Sequence, residues 1–200
     1  MRNPHRAQRI AFFFLFLATL LIVVPVGLIV VIIIQKGLPA INWQFISDMP
    51  RQGMRAGGIF PAIVGTFYLV VGAVTFALPI GLLAAIYLSE YSRGNLLTRL
   101  IKLAIVNLAG VPSVVYGLFG LALFVVFFKF GASILSGSLT LGIMILPIII
   151  TTSREALESV PQSFREVSLS LGASKWQTIR HIVLPNAVPG ILTGTILGLG

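Results

Sequence analysis

Five carboxylates (Asp48, Glu90, Glu155, Glu158 and Glu166) and two histidines (His5 and His181) are the whole stock of side chains in this 200-residue chain suited to proton transfer or metal binding near neutral pH. Glu90 or Glu155 is conceivable as the base of a membrane enzyme, but each is a lone carboxylate at the end of an apolar segment, where such groups are mostly solvated or paired. The apolar segments themselves offer mainly Asn107 and scattered Ser and Thr. There is no cysteine, so disulfides and thiolate metal sites are excluded and the redox compartment is undetermined. No G-x-x-x-x-G-K-[ST] phosphate loop, H-E-x-x-H or G-x-S-x-G motif occurs. Neither a catalytic residue, a metal site nor a cofactor is expected.

The residues with informative spacing lie between Ser163 and Pro185, in SFREVSLSLGASKWQTIRHIVLP. Ser163 with Glu166, and Ser174 with Gln177, each fit a capping box, in which a hydroxyl accepts from a first-turn amide and the acidic or amide side chain reaches back. Gly172 falls between them, where a helix end favours positive φ. The spacing predicts two short helices joined by a tight turn, with Phe164, Val167 and Leu171 on one face of the first and Trp176, Ile179 and Val183 on one face of the second. Aromatic side chains such as Phe164 and Trp176 are unfavourable in water without a docking surface, so the pair is expected to dock against a partner.

The elements that must position this stretch are set by composition. The chain is 57% hydrophobic and 10% charged, where soluble domains carry about 25% charged residues; such a chain is expected in a bilayer. Residues 1–9 form a basic head, and 10–34 an uncharged run longer than the ~30 Å hydrocarbon core requires and longer than a signal-peptide core. Pro25 within it is tolerable in a membrane helix. Residues 35–60 make a polar connection with Trp43 at the membrane interface. Pro61 suits a helix start, and 62–88 make a second span, followed by a charged turn at 89–99.

Residues 103–128 are apolar around Gly110-Val111-Pro112-Ser113. Each half is too short to cross, so one helix is expected, kinked or unwound near Pro112 and facing protein or water there. The break is a packing kink or, through Ser113, a ligand contact. Ser138 is the expected N-cap of a fourth helix, apolar over 139–150 and polar from Thr151 to Glu158. Residues 188–200 begin a fifth span with Gly190, Gly194 and Gly198 on one stripe, which lets helix backbones approach closely. At 13 residues this run is too short to cross, so the chain is expected to stop inside a helix.

The +9 net charge does not imply nucleic acid, because Lys and Arg accumulate in cytoplasmic loops of membrane proteins. A helix-turn-helix reading of 163–184 fails because the flanking spans leave no reach into a groove. With the N-terminus inside, ten of the 14 basic residues (Arg2, Arg6, Arg9, Arg93, Arg99, Lys102, Arg154, Arg165, Lys175, Arg180) fall on inner segments. Lys36, Arg51, Arg55 and Lys129 fall outside. The N-terminus and residues 163–185 are therefore expected in the cytoplasm.

Glu166-Val167-Ser168, Gly172 and Ile182-Val183-Leu184-Pro185 match in spacing the signature E-A-A-x3-G-x9-I-x-L-P of bacterial ABC-importer permeases, with Val167 and Ser168 replacing the two alanines. The segments 85–91, 109–120 and 55–66 resemble the phosphate-specific importer's permeases, the last of them the PstA-type subunit. The resemblance implies an all-α, polytopic membrane helical bundle of the type I ABC-importer permease (MetI-like) class, with six spans when complete and four to five here. Its permease core would cover 61–200 and its cytoplasmic coupling loop 154–187.

It further implies an inner-membrane transporter subunit, paired with a second permease subunit, docked by two ATP-binding cassette subunits and supplied by an extracytoplasmic phosphate-binding protein. Glu166, Gly172, Phe164, Trp176, Ile182, Leu184 and Pro185 would form the docking site. Thr151 stands where phosphate permeases usually carry arginine, and Arg154 where they carry glutamate; Arg154, Thr151 and Ser113 are the candidate anion-path residues. The alternatives are the partner phosphate permease, a permease for another oxyanion, and a non-transport membrane scaffold, which would share the spans without requiring the signature spacing.

Overall fold

The computed structural model describes residues 4–92 and 94–199, without the side chains of residues 4–7 and 10. Arg2, Arg93, Gly200 and the side chains of His5 and Arg6 lie outside the described residues. Two units can be distinguished, residues 1–63 and 64–200.

In the first unit the apolar run forms α1 (Pro4–Gly37), with Pro25 accommodated inside it. Its side chains from Ala11 to Ile34 are all exposed, as expected of a helix solvated by lipid. The connection is more ordered than its composition indicates. A 3-10 turn (Leu38–Ala40) leads to α2 (Trp43–Ser47), capped by Asn42, whose Oδ1 accepts from Phe45 N at 2.7 Å. A two-residue hairpin follows, β1 (Pro50–Arg51) pairing antiparallel with β2 (Ala56–Gly57).

The second unit holds most of α3 (Phe60–Ile86), whose axis continues through a π-helical turn, Tyr87–Tyr91. Next come α4 (Leu96–Ala109) and α5 (Ser113–Gly120), the latter running into a π-helical segment, Leu121–Phe127. The expected kink at Pro112 is a 97° bend between these two helices. Proline at the N-cap of α5 cannot continue α4, and Gly110 takes the C-cap of α4. Helix α4 also begins inside the predicted charged turn, because Asn95 caps it by accepting from Thr98 N at 3.0 Å.

Helix α6 (Ile134–Glu158) starts earlier than predicted. Its N-cap is Ser133, which accepts from Ser136 N at 3.3 Å; Ser138 is instead buried and donates to Leu69 O at 3.3 Å. Then come α7 (Gln162–Ser170), α8 (Lys175–Thr178), a π-helical turn (Ile179–Val183) and α9 (Leu184–Leu199). The last three run on as one helix, so the fifth apolar segment begins at Lys175 and is 25 residues long, enough to cross. The run of 13 residues from Val188 is too short an estimate because the helix is already formed before it, with Pro185 in the first turn of α9 and Pro189 carried inside it.

Two apolar clusters hold the unit together. Ala73 and Ala77 of α3 meet Ile145 and Ile149 of α6. Toward the other end of α6, Ala85 and Ile86 pack with Leu157, Val160, Ile179, Val183, Ala187 and Ile191. The second cluster joins α3, α6 and α9 where the loop containing α7 departs.

Candidate docking site

Helix α7 begins two residues before the predicted start. Pro161, at φ −55° and ψ 137°, is its N-cap, and Phe164 N donates to Pro161 O at 3.2 Å. Ser163 is therefore already helical and cannot take the extended conformation that a capping serine needs. The Ser163–Glu166 box does not form, and this leaves the Glu166 carboxylate exposed, with no hydrogen bond or ion pair among the described residues.

The other punctuation is as predicted. Gly172 has φ +84° and closes α7 in a Schellman motif, with Gly172 N donating to Leu169 O at 3.0 Å and Ala173 N to Ser168 O at 3.2 Å. The Ser174–Gln177 capping box is complete, with Gln177 Oε1 accepting from Ser174 N at 2.7 Å. Ser168, where the signature has a second alanine, is buried and shares a 2.9 Å hydrogen bond with Thr178 Oγ1. That hydroxyl ties α7 to α8, so the departure from alanine is a cross-helix bond and not a neutral change of size.

The predicted apolar faces divide. Phe164, Val167, Leu171 and Trp176 are exposed, Trp176 by 51%. Ile179 and Val183 are not part of that surface: at 1% and 0% exposure they belong to the core against α3 and α6. Their period was legible, but the cover is the chain's own. Ile182 and Leu184 are half-buried and Pro185 is exposed, so the second half of the signature mainly seats α9.

A feature without a sequence signal anchors the site. Arg165 sends Nη2 and Nε to Glu90 Oε1 at 2.8 and 3.2 Å, Nη2 also to Leu157 O at 2.8 Å, and Nη1 to Val160 O at 2.6 Å. The two side chains are 11% and 9% exposed. From α8, Lys175 Nζ donates to the Glu90 carbonyl and lies 4.8 Å from the centre of the Tyr91 ring. A cleft of about 570 Å³ lies beside this network, bordered by Glu158, Gln162 and Leu169 as well. Glu90 and Arg165 are 75 residues apart, and a long-range ion pair leaves no periodic trace in a sequence.

The candidate path residues are less united. Thr151 and Arg154 lie a turn apart on α6; Thr151 Oγ1 donates to Pro147 O at 2.8 Å, and Arg154 Nε is 3.5 Å from Glu158 Oε1. Arg154 Nε is buried and has no hydrogen-bond partner. Ser113 sits exposed in the first turn of α5, with no hydrogen bond to either among the described residues.

A family model described as the binding-protein-dependent transport system inner membrane component matches residues 77–200. The chain is 34% identical to the probable ABC transporter permease protein YqgI of Bacillus subtilis, over 92% of this chain and 62% of that protein. It is 34% identical to the phosphate transport system permease protein PstA of Mycobacterium leprae, over 96% and 64%, and 35% identical to PstA of Pasteurella multocida, over 84% and 59%. The chain thus spans about three fifths of the length of these relatives. A solved structure of the MetNI methionine ABC transporter in inward-facing conformations shares the fold, with TM-score 0.57 at 20% identity over 71% of this chain and 66% of that one. Among the described residues, four helices long and apolar enough to cross, plus the bent pair, agree with the family match in making this a multi-pass inner-membrane protein with a MetI-like fold. The signature spacing, the helical architecture and the match over residues 77–200 together establish that the chain belongs to the binding-protein-dependent transport system inner membrane components.

Proposed function

We propose that the chain is a transmembrane subunit of an ATP-driven importer of inorganic phosphate, encloses the path with a second permease subunit, and contributes no chemistry of its own. Two ATP-binding subunits hydrolyse ATP and dock on the exposed side of α7 and α8; an extracytoplasmic phosphate-binding protein delivers substrate at the outer segments, including 35–60. The N-terminus lies in the cytoplasm on the distribution of Lys and Arg. The observation that carries the docking reading is the unpaired, exposed Glu166 on α7, together with exposed Phe164 on α7 and Trp176 on α8, two helices joined by a turn that Gly172 and the Ser174 box close. A rigid surface with a free charge and two aromatic anchors is what a partner can grip with little loss of conformational entropy.

Phosphate is favoured by the PstA relatives. A permease for another oxyanion is the second reading, supported by Thr151 at the usual arginine position.

In the full-length protein, Glu166→Ala is expected to lower phosphate uptake about tenfold, the effect of losing ~1.4 kcal/mol at the docking surface, and to weaken co-purification of the ATP-binding subunit. Uptake and co-purification at wild-type level would remove the docking reading. If Arg154 serves the anion, Arg154→Gln should reduce phosphate uptake several-fold while the complex assembles normally. Uptake unchanged by that substitution would leave Arg154 as a helix-end partner of Glu158.

A further inference from the structure

We infer that Glu90 is the positioning residue through which the docking helices take hold of α3, so that α3 moves with α7 and α8 as one lever. This rests on the docking reading above and extends it to a helix that the signature does not contain. Without the network, α7 would be joined to the bundle mainly through the chain that enters it from α6 and its Ser168 bond to α8, and α8 through the continuous helix into α9 with its buried Ile179. With it, each docking helix has its own tie to one residue at the end of α3. Arg165 on α7 holds the Glu90 carboxylate, and Lys175 on α8 holds the Glu90 carbonyl.

The geometry suits transmission of force rather than simple adhesion. Arg165 makes four hydrogen bonds, two to Glu90 Oε1 and one each to the carbonyls of Leu157, in the last turn of α6, and Val160, just beyond it. A planar guanidinium held on several sides resists displacement in any direction within its plane. Glu90 itself lies within the π-helical turn Tyr87–Tyr91. Such turns are common at functional sites in helices, and this one presents both the side chain and the carbonyl of Glu90 to the loop. Ile179 and Ala85, members of one buried cluster, add apolar packing to the polar ties.

The test uses the complete importer in proteoliposomes with its binding protein, and reads phosphate moved per ATP hydrolysed. The double variant Glu90→Leu/Arg165→Met replaces the ion pair by apolar side chains and leaves no buried charge unpaired, so the complex is expected to assemble. Its ratio should fall at least tenfold, while ATP hydrolysis persists. Lys175→Met removes the second tie at an exposed position and should lower the ratio about threefold.

Ratios within twofold of wild type for either assembled variant would overturn the inference, and Lys175→Met decides alone if the double variant does not assemble. Failure of the wild-type chain to bind an ATP-binding subunit or to move phosphate would strike the transport reading instead, so the two failures are distinguishable.

Discussion

Gly194→Val is expected to abolish accumulation of the folded protein or to lower its thermal midpoint by about 5 °C or more, the response to a loss of roughly 2 kcal/mol. The glycine stripe of α9 runs against α6 in matched steps. Gly190 faces Ala156, Gly194 faces Thr152 and Gly198 faces Ile148. A Cβ at position 194 would fall on the Thr152 side chain, including its Cβ, which cannot swing away. The helices must separate, and overpacking of this kind costs typically 1–3 kcal/mol, occasionally more. The same geometry grades its neighbours. A methyl at Gly190 would lie 2.7 Å from the Ala156 Cβ, whereas at Gly198 the nearest atom, Ile148 Cγ2, is 3.4 Å away.

Gly190→Ala should therefore destabilise and Gly198→Ala should be close to neutral. Thr152→Gly should restore much of the stability lost in Gly194→Val, while Thr152→Ala, which retains the obstructing Cβ, should not. Thermal midpoints of the detergent-solubilised protein check the series. Equal effects at all three glycines would mean that the stripe does not set the spacing of α6 and α9.

The small-residue stripe shows which parts of this molecule a sequence can convey. Gly190, Gly194 and Gly198 recur every four residues, and a helix of ordinary period must place them on one face; only the identity of the facing helix needed coordinates. Gly172 and the Ser174–Gln177 box were legible for the same reason, because each depends on its own few neighbours. Ser163 misled because Pro161 starts α7 earlier than a capping serine would, and a local pattern was outweighed by a stronger local constraint. Ile179 and Val183 carried a correct period with the wrong cover: an apolar face announces that it will be buried, not by what. The Arg165–Glu90 pair had no signature at all. Its two members lie on segments that look independently solvated, and the fold alone brings them together.

That pair leads to the other large expectation. Arg165→Met should destabilise the protein by about 3–5 kcal/mol, because it leaves the Glu90 carboxylate buried without its countercharge. At 9% side-chain exposure Glu90 has little access to water, and Lys175 reaches only its backbone carbonyl. The carbonyls of Leu157, in the last turn of α6, and of Val160, just beyond it, lose their side-chain donor as well. Glu90→Gln should cost less, about 1.5–3 kcal/mol, since its amide oxygen still accepts from Arg165. Adding Glu90→Leu to Arg165→Met should recover stability, by removing the stranded charge.

Exchanging the charges, Glu90→Arg with Arg165→Glu, separates this account from one in which only the ion pair matters. A simple pair would survive reversal. Here a carboxylate at position 165 would face the Leu157 and Val160 carbonyls, acceptor against acceptor, and the exchanged protein should remain at least as unstable as Arg165→Met. Chemical or thermal unfolding of the four variants in one detergent measures the order. Recovery of wild-type stability on exchange would show that the carbonyl contacts contribute little and that charge pairing alone fixes α7 to α3.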